Sequence, residues 1–190
     1  MGESELEKAV DRISRLLAVL GGLVLLMLVV STTLSIVGRS LNTIGHSDAF
    51  ESVAWLARIL QKFGPVNGDY ELVEAGVAIA IFAFLPYCQV TRTHATVDIM
   101  TGFLGPRINA VLALVWEFLL SFIVILVTWR IAIATSEKLR YGETTFLLQM
   151  PVWWSYAICA VIAGIASLIG IYVVWQRLCD VLNLVRVNTP

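Results

Sequence analysis

The chain has 190 residues, 58% of them hydrophobic and only 14% charged, with a mean hydropathy of +0.84. A soluble domain carries about a quarter charged residues, and the apolar excess here gathers in blocks, as a lipid solvent demands. The formal net charge of -1 gives no basic footprint for nucleic acid. Cys88, Cys159 and Cys179 lie far apart with neither a CxxC nor a CxxCH spacing, so no disulfide framework, thiol redox pair or c-type haem attachment is expected.

In chain order, residues 4 to 15 come first. Ser4 and Glu7 form a capping box, and Leu6, Val10, Ile13 and Leu17 form an apolar stripe, predicting a short N-terminal amphipathic helix. Leu16 to Gly38 follows without an ionisable residue. At about 1.5 Å per residue this block crosses a hydrocarbon core of about 30 Å. It is too long for the core of a signal peptide, acids precede it, and no small-residue cleavage site follows, so it is expected to remain as an anchor.

Residues 48 to 63 alternate with helical periodicity. Phe50, Val53, Leu56, Ile59, Leu60 and Phe63 share one face, Glu51, Arg58, Gln61 and Lys62 the other, and Trp55 falls at the boundary. The stretch is too polar to span. It predicts a helix lying in the membrane interface or docking on a partner, with Phe50, Trp55, Leu56, Ile59 and Phe63 as anchors.

A second span is expected over 70–91. Gly68 and Asp69 supply a stop and cap, Glu71 and Glu74 complement the positive end of the helix dipole, and Pro86 bends the final third. The polar turn TRTHATVD at 91 to 98 contains Arg92, His94 and Asp98, the last placed to cap the next helix or to meet another subunit. A third span covers 107–130 and a fourth 150–176, with Pro151 in its first turn and Trp153, Trp154 and Tyr156 as a headgroup belt. The architecture predicted is thus an all-α integral membrane protein of four spans, residues 1–190 forming one membrane domain.

Chemistry-bearing residues are sparse. His46 and His94 fall outside the apolar blocks, which argues against a haem-binding bundle, and no His, Cys, Asp or Glu cluster has metal-ligand spacing. No Gly-x-Ser-x-Gly stretch appears. No catalytic, cofactor or metal site is therefore expected in this chain. The anomaly is Glu117, a carboxyl in the middle of the third span. It reads either as a proton or cation site of an autonomous small exporter, or as a structural carboxyl bonded to a hydroxyl; the absence of a basic residue or helix break beside it favours structure. Charge does not orient the chain. Lys8, Arg12, Arg15, Arg92, Arg107, Arg177 and Arg186 share the side of the termini, against Arg39, Arg58, Lys62, Arg130, Lys138 and Arg140.

GDYELVE at 68 to 74, the arginine, histidine and Val97-Asp98 of TRTHATVD, and Gly142, Thr144, Pro151, Trp153, Trp154 and Tyr156 around the fourth span resemble the small membrane subunit (DctQ type) of tripartite ATP-independent periplasmic, or TRAP, transporters. The resemblance covers about residues 10 to 178; the amphipathic stretch 45 to 66 is longer than in a minimal member. It implies sodium-driven symport of small solutes, often organic acids, in the bacterial inner membrane. A periplasmic solute-binding protein would deliver the solute to a large (DctM-type) membrane subunit that carries substrate and sodium. This chain would serve as scaffold among membrane lipids, with both termini cytoplasmic. Glu71, Glu74, Arg92, His94, Asp98, Glu117, Trp153 and Trp154 are the candidate structural or partner-contact residues. A membrane anchor of a redox complex is the other alternative weighed.

Overall fold

The computed structural model describes residues 5–45, 68–91 and 106–187. The expected helix at 48–63, with Phe50, Trp55, Leu56, Ile59 and Phe63, and the turn bearing Arg92, His94 and Asp98 lie outside the described residues. Four helices account for nearly all of the rest: α1 (Glu5–Gly45), α2 (Asp69–Thr91), α3 (Pro106–Tyr141) and α4 (Trp153–Val187). Each is long and apolar enough to cross a membrane.

Several boundaries differ from the sequence reading. The N-terminal amphipathic segment is not a separate helix but the first turns of α1, because no Gly or Pro interrupts the chain between it and the apolar block. Pro151 is not in the first turn of the last helix. It pairs across an isolated bridge with Thr144, and α4 begins at Trp153. α3 and α4 run to Tyr141 and Val187, past the expected ends at 130 and 176. α2 begins at Asp69, as the Gly68-Asp69 signal requires, and continues through Pro86, which is fully buried.

The packing order differs from the chain order. α1 packs on α2, α2 on α4, and α4 on α3, so the helices stand in a row with α2 and α4 inside. The inner helices bury a larger share of their apolar windows than α1 and α3. Apolarity cannot drive this arrangement, since lipid chains are as apolar as leucine; close backbone approach at small residues and interhelical hydrogen bonds do. Gly21 of α1 lies against Ala80 and Ala83 of α2, where an added Cβ would stand 2.9 Å from the Ala83 Cβ. Ala163 and Ala166 of α4 are fully buried. Between α4 and α3, the Thr128 hydroxyl lies 2.9 Å from Ser167 Oγ and donates to the Ala163 carbonyl at 3.1 Å.

Candidate functional site

The densest polar construction joins the start of α2 to the α3–α4 connection. α3 ends when Gly142 takes a left-handed conformation (φ 62°) and its N–H donates to the Lys138 carbonyl at 3.1 Å. The chain then doubles back on itself. Thr145 N–H donates to the Met150 carbonyl at 2.8 Å, and Val152 N–H to that of Glu143 at 2.9 Å. Met150 N–H donates to Thr145 Oγ1 at 3.1 Å. Gln149, also at positive φ (53°), braces the turn by donating its amide to the Phe146 carbonyl at 3.0 Å. Lys138 pairs with Glu143 at the base.

This turn leaves the amides of Leu147 and Leu148 pointing out of its tip, and the Glu71 carboxylate takes both, at 2.6 and 3.0 Å. Hydrogen bonds to an ionised acceptor are the stronger kind, and two on one carboxylate fix orientation as well as distance. Two residues earlier, Asp69 accepts the Ser35 hydroxyl of α1 at 2.6 Å and the Tyr70 N–H at 2.8 Å. Gly68, at φ 80°, sits under Leu148, whose Cγ would be 2.4 Å from a Cβ at that position. Gly68, Asp69 and Glu71 therefore tie α1, α2 and the α3–α4 turn into one rigid end. Around it stand exposed apolar side chains, Tyr70, Tyr141, Phe146, Leu147 and Met150.

Glu71 thus satisfies a distant turn, not only its own helix dipole. Glu74, expected to complement the same helix dipole, is exposed and makes no hydrogen bond or ion pair among the described residues. Trp153 and Trp154 open α4 with ring centroids 6.0 Å apart, and Trp154 is exposed.

Glu117 is buried, only 6% exposed, on the same face of α3 as buried Ser121 one turn later. The hydroxyls of Thr32 and Thr33 at mid-depth on α1 bond carbonyls of their own helix. α1 stands at the opposite edge of the row from α3, so the neighbours of this face come from α2 and α4 instead. A Cβ on Gly170 of α4 would lie 2.9 Å from both Ser121 Oγ and Gln89 Nε2 of α2. Gln89 is 1% exposed, and its amide makes no hydrogen bond among the described residues. Sequence reasoning passed over Gln89; a lone amide in an apolar block is the signal that marks it. Among the described residues no group of three His, Cys, Asp or Glu side chains could hold a metal ion, and His46 and His94 lie outside them.

By its form the chain is a four-span membrane protein, in which the polar side chains described above fasten helices and turn together. The family model of tripartite ATP-independent periplasmic transporters, DctQ component, matches residues 28–180, and the chain belongs to that family. It is a component of a TRAP transporter. Comparison with curated proteins and with solved structures returned no match. The matched region contains both Glu71 and the turn it holds.

Proposed function

We propose that the chain is the small permease subunit of a sodium-driven, binding-protein-dependent uptake system for small organic acids, acting as fixed scaffold for the large membrane subunit. The observation that carries this reading is the row of helices. The outer faces of α1 and α3 expose large apolar side chains along their length, among them Leu23, Leu26, Met27 and Val30 on one and Val115, Trp116, Phe118 and Phe122 on the other. A scaffold needs such faces, turned to lipid on one side and to a larger subunit on the other, and it needs rigid ends. Sodium and solute belong to the large subunit in this reading, and a periplasmic binding protein delivers the solute. The chain lies in the bacterial inner membrane with both termini cytoplasmic, which puts the Glu71-held turn on the periplasmic side.

Sodium-gradient uptake in proteoliposomes tests the proposal. Uptake is expected only when this chain, the large subunit and the binding protein are combined, and uptake by this chain alone would overturn it in favour of an exporter using Glu117. Single-cysteine labelling at Arg140, in a background lacking the three native cysteines, tests the orientation. Modification from the periplasm is expected.

A further inference from the structure

α2 is the shortest of the four described helices, 23 residues against 41 for α1 and 35 for α4, its neighbours on either side. At about 1.5 Å per residue it spans about 34 Å, and both flanking helices continue past its end. The overhang leaves a groove of about 570 Å³ between α1 and α4, with Val90 from the last turn of α2 among its lining residues. α1 supplies Lys8, Arg12 and Arg15 to the walls, with Glu7 and Asp11 beside them, and α4 supplies Tyr172, Val173 and Gln176.

The polar groups of the groove are unequally engaged. Arg15 is paired with Asp11 at 2.9 Å and Lys8 with Glu5 at 3.0 Å. Gln176 Nε2 donates to Glu7 Oε1 at 2.8 Å and to the Tyr172 hydroxyl oxygen at 2.9 Å, which leaves the Tyr172 hydrogen available to donate. Arg12 has no ion-pair or hydrogen-bond partner among the described residues. The groove therefore presents an unengaged guanidinium, a phenolic donor and two further cations.

Its depth narrows the ligand. Arg15 is the last charge before the apolar block of α1, and Arg177 is the first after the uncharged stretch of α4. The groove thus straddles the level at which hydrocarbon gives way to headgroups. Directly toward the hydrocarbon, α1 exposes Leu16, Val19, Leu20 and Leu23, a surface for acyl chains. We propose that the groove binds the phosphodiester headgroup of a membrane phospholipid, in the leaflet on the side of the chain termini, with the phosphate on Arg12 and Tyr172. Guanidinium and phosphate match in geometry as well as charge.

The test is native mass spectrometry of the full chain, delipidated in detergent and titrated with phosphatidylglycerol, with a diacylglycerol of the same chains, and with glycerol 3-phosphate. Phosphatidylglycerol is expected to bind, and Arg12→Gln to lower its affinity about tenfold, the loss of one charge-assisted contact. Arg140→Gln, a charge removed at the other end of the bundle, is expected to have no effect. Asp11→Asn frees Arg15 and is expected to strengthen binding, a direction that misfolding cannot produce. Equal affinity of wild type and Arg12→Gln, or equal binding of diacylglycerol, would overturn the proposal. Binding of glycerol 3-phosphate as tight as that of the phospholipid would overturn the lipid assignment in favour of a free phosphate.

Discussion

Glu71 and Leu148 stand 77 residues apart in the chain and 3.0 Å apart in the fold, carboxylate oxygen to amide nitrogen. The contact joins two of the three segments that carry the family resemblance, GDYELVE and the approach to α4. Its removal should free the turn without unfolding the helices. Hydrogen exchange at the Leu147 and Leu148 amides is expected to rise for Glu71→Ala and less for Glu71→Gln, which retains one acceptor oxygen. Unchanged protection in Glu71→Ala would show that the turn holds itself.

Gly68 is demanded twice, by its positive φ and by Leu148 pressed against it. Gly68→Ala is expected to destabilise the protein by about 1–3 kcal/mol, from left-handed backbone strain and the displaced leucine. Leu148→Ala in the same chain should relieve the steric part only. Thermal unfolding in detergent across the four variants of this cycle reads the coupling, and strict additivity would deny the contact.

The bond between Thr128 and Ser167 crosses the α3–α4 interface inside the span. Thr128→Val keeps the shape and deletes the hydroxyl, with an expected loss of about 0.6 kcal/mol and at most about 1.7 kcal/mol, the average and the maximum for interhelical bonds in membranes. Steric trapping or reversible unfolding in mixed micelles measures it. A gain in stability would mean that this bond is not a fastener.

Glu117 is expected to serve packing, not coupling. Glu117→Gln retains its hydrogen bonding and should leave both the yield of assembled complex and the sodium dependence of uptake near wild type. Glu117→Leu should cost about 1–3 kcal/mol by leaving polar neighbours unsatisfied. Full assembly with abolished transport in Glu117→Gln would make this carboxyl part of the transport cycle.

The spans were legible because lipid tolerates only long uncharged helices, and the Gly68-Asp69 start because its turn chemistry is local. What Glu71 holds was not legible: an acid in a first turn has a sufficient local explanation in the helix dipole, and nothing nearby announces a turn 76 residues away. The order of the helices was hidden for another reason. Lipid-facing and helix-facing positions are alike apolar, so periodicity does not distinguish Gly21, which meets α2, from Gly22, which meets nothing within 4 Å. Pro151 was misplaced because a proline before tryptophans suits a first helical turn as well as the bridge it occupies.

The order of the row also sets a timetable for biogenesis. α1 with α2, and α3 with α4, are each neighbours in both sequence and space, so each pair can pack as soon as it enters the bilayer. The Ser35–Asp69 bond closes within the first pair, whereas the acceptor at Glu71 must wait until Leu148 has left the ribosome. A nascent chain halted before α4 would therefore hold a finished first hairpin with its carboxylate still facing water. The Glu71 contact is then a late latch, closed only after the second hairpin has inserted beside the first.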